Sequence, residues 1–457
     1  MALTRSIPDI SRARPSGPNV AVLGGGASGV LMALHLLRHS PSARVVLIEK
    51  SGVPGCGVAY GTDDPAHLLN TRVSNMSAFA DDPADFLDWL RARVDPSACP
   101  FSFVSRGFYG RYLTEKMAGA QGGDRLSCLT AEALRVIPQA QGVSVHLADG
   151  SVLSADLAVL ATGHSLPDAD PGGALTLPWG SDPLPDRDAD VLIVGTGLTM
   201  VDQVMTLLDS NHRGRIEAIS RRGLLPQPHV DAAPEAIGAD ELPLGQPVSV
   251  LMHWLRYRVA LTQAQGGDWQ SVVDGLRPHV QSLWQSMDEA ARARFLRHAC
   301  AWWEVHRHRL PPPSAERLKS AIGEGRLSLR RASFLGAERT SRNAVLARLR
   351  PTGAGAGAEE YRLFHHVFDC RGVRRDPDRH SVPVIRNLIA EGLASLDPLR
   401  LGIVVDARAR VLRPDGTALS GVFAIGPVSR SAFWEITAIP DIRVQVAGLA
   451  KSEEFSV

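Results

Sequence analysis

Cysteine is scarce in this 457-residue chain. Cys56, Cys99, Cys128, Cys300 and Cys370 form an odd set with no C-x-x-C pair and no zinc-type spacing. That excludes a disulfide framework and a sequence-encoded metal site, and it predicts a reduced, cytoplasmic protein. Cys56 lacks a neighbouring cysteine for a redox-active disulfide. Net charge is also missing: 49 Lys and Arg against 48 Asp and Glu leave +1, which supplies no electrostatic reason to expect nucleic acid or an anionic membrane as partner. No apolar run approaches the roughly 18 residues of a membrane-spanning helix. Met1 to Pro18 has arginines and prolines but no apolar h-region, so it reads as a loose N-terminal arm and not as a secretory signal.

What the chain does have is length for two domains and an ordinary globular balance, 44% hydrophobic and 21% charged. Its most informative stretch is Asn19 to Lys50. Val20 to Leu23 reads as a buried strand. Gly24, Gly26 and Gly29 follow in G-x-G-x-x-G spacing, with Ala27 and Ser28 between the last two. A helix-spaced segment from Val30 to His39 leads to a second strand, Arg44 to Ile48, and then to Glu49 and Lys50. Gly24 permits a tight turn, Gly26 lets backbone approach a pyrophosphate, and Gly29 allows close helix–sheet packing. The free N–H groups of the helix start hold phosphate. Glu49, 20 residues after Gly29, would accept hydrogen bonds from ribose hydroxyls.

The glycine-rich loop Gly55 to Tyr60, with Gly57, leaves the second strand. It either lets backbone approach a flat ring or is a plain turn. Asn70 to Ser77, including Met76, carries amide and hydroxyl groups that could border the same ring. A helix capped at Asp81 or Asp82, with Pro83 in its first turn, would run through Phe86 to Leu90, and Arg111 to Met117 reads as another. Tyr109, Tyr112 and Arg106 could line a site or form an aromatic core. Leu134–Ile137, Val143–Leu147 and Val152–Leu153 are expected as a meander. Asp156 to Leu160 reads as a buried strand ending at Ala161, Thr162 and Gly163.

After a Pro- and Asp-rich connection over 166–190, Val191 to Val194 restarts the pattern with Gly195, Thr196, Gly197 and a helix from Leu198, although Met200 replaces the third glycine. Ser220, Arg221 and Arg222 stand where an NAD site would carry its carboxylate. Guanidinium groups there can pair with the 2′-phosphate of NADP; two solvated arginines are the plainer alternative. Helices are expected at Leu251–Arg258, Trp269–Val280, Gln281–Met287 and Ala290–Arg307, as an insertion into the second nucleotide domain. Trp302 to Arg309 concentrates aromatic and cationic side chains ahead of Pro311–Pro313. Strands are expected at Leu327–Leu335, Val345–Leu349, Tyr361–Asp369 and Gly402–Asp406. Near the end, Gly421 to Pro427 reads as a strand closing a cofactor site, and Trp434, Glu435 and Ile436 lead into a terminal helix whose positive end would face a flavin.

These motifs together resemble the two-dinucleotide-binding-domain flavoproteins, and more narrowly the YdhS-like FAD/NAD(P)-binding proteins, through 57–82, 195–202, 303–311 and 426–445. The resemblance implies an α/β fold with two Rossmann-like domains: a discontinuous FAD domain over 18–168 and 365–457, and an NAD(P) domain over 187–364 with a helical insertion at about 238–325. It implies FAD and NADPH as cofactors. Gly426 matches the superfamily's C-terminal glycine, while Pro427 replaces the acid that usually follows, leaving Glu435, Asp441 or a backbone group to contact the ribityl chain. The implied activity is NADPH-dependent flavin chemistry on a small molecule with molecular oxygen as acceptor, N-hydroxylation of an amine or amino acid fitting best. A reductase with an organic acceptor and a non-turning-over redox sensor are the alternatives, and no catalytic acid or base is singled out.

Overall fold

The computed structural model describes residues 17–455 apart from 122, 169, 171, 181, 182, 354, 355, 374 and 375. Most of the expected N-terminal arm therefore lies outside the described residues. The chain opens as β1 (Asn19–Leu23), α1 (Ala27–His39) and β2 (Arg44–Ile48), with β1 and β2 parallel and in register from Asn19↔Arg44 to Leu23↔Ile48. Both strands are apolar on both faces because helices cover the sheet; Val20 to Leu23 and Val45 to Ile48 are all buried. A short helical turn α2 (Gly57–Tyr60), α3 (Asp85–Arg93) and α4 (Arg106–Ala120) follow. The edge strand β3 (Leu126–Leu129) then pairs with β2, an element the sequence pattern did not reveal.

The expected meander is present as antiparallel β4 (Ala133–Pro138), β5 (Val143–Leu147) and β6 (Val152–Ala155). β7 (Leu157–Leu160) returns beside β1. The aromatic residues of α3 and α4 are core: Phe86, Tyr109 and Tyr112 are buried and pack edge-on or tilted. The Tyr112 hydroxyl accepts from the Ala78 amide and donates to Asp85.

A second parallel unit is built from β8 (Val191–Val194), α5 (Leu198–Asp209) and β9 (Ile216–Ser220). The insertion then supplies α6 (Val248–Ala264), α7 (Trp269–Leu276), α8 (Val280–Ser286), α9 (Glu289–His298) and α10 (Cys300–Arg307). The expected helix Trp269–Val280 is interrupted because Pro278 cannot donate to an α-helical ladder, and Arg277–His279 forms a 3₁₀ turn. The expected helix Ala290–Arg307 bends at Ala299, which lets Phe295 and Cys300 enter one apolar cluster. The proline trio starts as well as stops a helix: α11 (Pro312–Gly323) carries proline in its first turn, where the missing N–H costs nothing.

β10 (Leu327–Arg339) runs parallel to β9, then antiparallel to β11 (Val345–Pro351), which pairs with β12 (Glu360–Phe364). The expected strand Tyr361–Asp369 divides at His365, since β13 (His366–Asp369) crosses to lie parallel to β8. The expected domain join at 364/365 thus falls before a strand of the second sheet. The chain returns to the first sheet through α12 (Pro377–His380), α13 (Pro383–Ala390), β14 (Arg410–Leu412), β15 (Ala418–Ala424) and α14 (Ile439–Ala450). Of the expected strand Gly402–Asp406 only isolated bridges form. The two six-stranded sheets are ordered β14-β15-β7-β1-β2-β3 and β12-β11-β10-β9-β8-β13. The fold is thus α/β with two Rossmann-type sheets, and among the described residues no helix is long and apolar enough to cross a membrane.

Polar contacts clasp the two halves. Arg106 at the start of α4 pairs with Asp202 of α5. His67 donates through Nε2 to Thr206 Oγ1 at 2.8 Å, Thr206 donates to Asp64, and Thr62 donates to His67 Nδ1. His229 Nε2 donates to the Asn70 carbonyl at 2.9 Å. Burial lowers the His229 pKa to about 4, against an unfolded value near 6.5. Between those values the unfolded chain binds the extra proton, so this contribution is present above pH 6.5 and is lost as pH falls through about 4. A His229→Gln variant is expected to lose less of its thermal midpoint than wild type over that window in a pH-series melt; parallel pH profiles would refute the assignment.

Candidate functional site

The site is built at the carboxyl ends of β1 and β7, where three distant segments meet around the start of α1. Gly24 has φ +107° and lies so close to the end of β7 that an added Cβ would stand 2.5 Å from the Ala161 carbonyl oxygen. A Cβ on Gly29 would stand 1.8 Å from the Gly24 carbonyl oxygen, and one on Gly426 (φ +64°) would stand 2.5 Å from Ser28 Oγ. Gly26 is different. Its Cβ would meet nothing nearer than Gly57 Cα at 3.7 Å, and a Cβ on Gly163 nothing within 4 Å. No side chain caps α1 and no acid sits in its first turn, so its positive end is left for an anion.

Glu49 closes the other side. Its carboxylate accepts from the Gly25 amide at 2.7 Å and the Ser51 amide at 2.8 Å. Two oxygens offer about four acceptor sites, so capacity for ribose hydroxyls is left over. An open glycine turn, an uncapped helix start and a fixed carboxylate fit the pyrophosphate and ribose of FAD.

The second turn repeats the arrangement. Gly195 (φ +115°) would place a Cβ 2.4 Å from the Cys370 carbonyl oxygen, whereas one on Gly197 would meet nothing within 4 Å. α5 begins at Leu198, again with no side-chain cap and no acid in its first turn. Thr196 Oγ1 donates to the Leu224 carbonyl at 2.6 Å and accepts from the Ser220 hydroxyl at 2.8 Å, tying the glycine turn to the end of β9. Arg221 is exposed and without an ion-pair partner among the described residues. Arg222 instead donates to the carbonyls of Arg297 (2.7 Å) and His298 (3.3 Å) at the end of α9. Arg331, which the sequence did not single out, stands opposite Ser220 in β10, with its stem against Gly223 and its guanidinium beside Gly353. Strand register alone brings it there, so no local motif signals it.

The other expected site residues sit in varied surroundings. Met76 and Ser77 are buried, and the Ser77 hydroxyl holds its own turn through the Phe79 and Asp82 carbonyls. Lys50 points to Glu132 at 3.8 Å, while Thr162 continues from β7 past Gly24. Pro427 and Ile436 are buried. Glu435 and Asp441, considered for the ribityl contact, are engaged by the insertion: Glu435 accepts from Trp303 Nε1 at 2.8 Å and faces Arg307 at 3.2 Å, and Asp441 pairs with Arg277. Burial opposes the Glu435 charge, yet Arg307, His308 and the Trp303 bond together hold its carboxyl below the usual range. Gln445 was also not anticipated; its Oε1 accepts from the Gly426 amide at 2.8 Å. Burial and the Arg430 charge lower the His164 pKa, one residue past Gly163, to about 4, so it is neutral near pH 7.

Replacing Gly26 with Val is expected to abolish retention of flavin through purification while leaving the circular-dichroism spectrum unchanged, because the Cβ position is open and only an approaching ligand would be blocked. Full flavin retention in that variant would refute the placement.

Residues 21–165 match the family described as FAD-NAD(P)-binding. The chain is 22% identical over 249 residues to the uncharacterised protein YdhS of Escherichia coli K12, a match spanning 46% of each protein, so the alignment reaches about half the length of that curated relative. In fold it is similar to the reduced ornithine hydroxylase PvdA of Pseudomonas aeruginosa, with TM-score 0.63, 16% identity and coverage of 95% of this chain and 98% of that one. The ornithine N-hydroxylase KtzI of Kutzneria sp. 744, solved with reduced FAD, NADP+ and L-ornithine, is similar at TM-score 0.61 and 16% identity, covering 95% and 98%. The chain thus contains an FAD-NAD(P)-binding domain within an architecture shared over nearly its whole length with flavin-dependent hydroxylases.

Proposed function

We propose that this protein is an FAD-dependent monooxygenase that draws its electrons from NADPH and acts on a small molecule. The observation that carries this reading is the pair of open glycine turns, Gly24–Gly29 and Gly195–Leu198, each leading into an uncapped helix, in one clasped chain. When bound, FAD and NADPH would supply the redox chemistry. The protein's part is positional. The α1 start holds the FAD pyrophosphate, Glu49 its ribose, and the α5 start the NADPH pyrophosphate. Arg221 and Arg331 hold the 2′-phosphate. The Arg106–Asp202 pair and the His67–Thr206–Asp64 chain tie the nucleotide helix of the second unit to the first. Oxygen as acceptor is favoured because none of the five cysteines is joined in a disulfide among the described residues and Cys56 faces Thr114, not a second thiol. The amine or amino acid suggested by resemblance has the fold likeness to ornithine hydroxylases behind it and no residue of its own.

Two measurements test this. Purified protein is expected to consume NADPH and oxygen together, with an added substrate raising both rates; reduction of an organic acceptor under argon at an equal rate would favour the reductase alternative. In a second test, Arg221→Ala and Arg331→Ala should each raise the NADPH Michaelis constant roughly 10- to 150-fold, the equivalent of a charged hydrogen bond of about 1.5–3 kcal/mol, and change that for NADH little. Added salt should shrink the difference. Silence of both substitutions would refute the 2′-phosphate contact.

A further inference from the structure

A large cavity lies away from both glycine turns. It measures about 1050 Å³ and is bordered by the helices of the insertion, with Trp434 of the C-terminal segment in its wall. That volume matches the upper range of small-molecule sites. Five of the chain's eight tryptophans line it: Trp269, Trp284, Trp302, Trp303 and Trp434. The roof is α6, a 17-residue helix of which only Val248 and Leu251 are buried. Met252, Leu255 and Val259 turn toward the space without filling it. A helix so apolar would be costly to leave against water.

The charged lining has one sign. Arg256 and Arg294 border the cavity beside His298 and His306, and among the described residues no Asp or Glu does. Neither Arg256 nor Arg294 has an ion-pair partner among the described residues, and both are exposed on the rim. His306 is partly committed, its Nδ1 at 2.7 Å from the Trp302 carbonyl and its ring edge-on to Trp269. At the inner end Trp434 stacks on Trp284 with centroids 4.6 Å apart, and the Arg430 guanidinium lies 4.1 Å over its ring. Trp434 Nε1 is buried without a hydrogen-bond partner. An unsatisfied buried donor of this kind usually marks a missing acceptor.

We propose that this cavity binds an amphipathic carboxylate, an acyl or arylalkyl body with a single acidic group, as the substrate of the reaction proposed above. The tryptophan and aliphatic walls take the apolar body, and the Arg256–Arg294 rim takes the acid. An ammonium head at the rim would meet the like charge of Arg256 and Arg294 and would lack a carboxylate to hold it. The insertion is docked so that the body's inner end reaches Trp434, which adjoins the C-terminal part of the FAD half. As a binding site the cavity stands independently of the redox reading; as the substrate site it rests on it.

Tryptophan fluorescence of the protein as purified would be titrated with dodecanoate and with dodecylamine of equal chain length. Saturable quenching by dodecanoate is expected, with the amine binding at least roughly 10-fold more weakly. Arg294→Gln should narrow that preference, and Val259→Trp, on the partly exposed face of α6, should weaken both ligands by filling the cavity. No saturable change, or amine binding as tight as acid, or an unaltered preference in both Arg294→Gln and Arg256→Gln would overturn the site. This titration needs neither flavin nor NADPH, so its outcome is separate from the cofactor reading. NADPH consumption with and without dodecanoate then tests the substrate role: stimulation supports it, and bound ligand without stimulation overturns it.

Discussion

Everything else in this fold depends on how closely backbone meets backbone at the start of α1. The Gly24 carbonyl lies where a Cβ on Gly29 would have to go, the Ala161 carbonyl lies where one on Gly24 would go, and Ser28 occupies the place of one on Gly426. Three segments far apart in sequence therefore share a contact that tolerates no side chain. Their convergence brings β7 and the C-terminal Gly426 turn against the first helix, and it points the α1 amides away from the core. Close packing on one side is what leaves the other side open at Gly26 and Gly163. The second unit repeats the device with Gly195 against Cys370, and Thr196 bonded to Ser220 then sets the distance from glycine turn to strand end.

Local chemistry explains which parts of this were legible in the sequence. β1–α1–β2 and β8–α5–β9 are continuous runs with glycine punctuation, and their strands are buried on both faces, so apolar pattern alone identifies them; β5 is legible by its alternation of buried and half-buried residues. The edge strand β3 has only Leu126 fully buried and offers no such run. α11 was obscured because the same prolines that end one helix pre-set the first turn of the next. The splitting of Tyr361–Asp369 reflects tertiary choice: β12 and β13 have similar composition but join opposite edges of the sheet.

For the site, glycines and Glu49 could be read because their role is set by their own backbone and spacing. Roles fixed by distant partners could not. Arg222 looked like a phosphate ligand from its place after β9, but the α9 carbonyls claim it. Arg331 reaches the same strand end only through the β9–β10 register. Glu435 looked available and is instead the anchor of the insertion. Met76 and Ser77 carry suitable groups, yet their segment packs inward beneath α3 and α4, and the hydroxyl is spent on turn carbonyls.

The insertion's attachment adds directed polar contacts to an apolar seam in which Trp434 packs against Trp284 and Phe295. Arg307 and Glu435 are both nearly buried and approach at 3.2 Å without hydrogen-bond alignment, and burial lowers the Arg307 pKa. A buried ion pair of this quality contributes little net stability, though removing one partner strands the other at about 3–5 kcal/mol. What it supplies is orientation. Glu435 takes Arg307 and Trp303, Asp441 takes Arg277, and the Ser431 carbonyl takes Trp284, so the 3₁₀ turn after α7, α8 and α10 are each pinned to the segment that follows Gly426. An apolar seam alone would let those helices slide; directed contacts hold the cavity wall and the segment after Gly426 in one register.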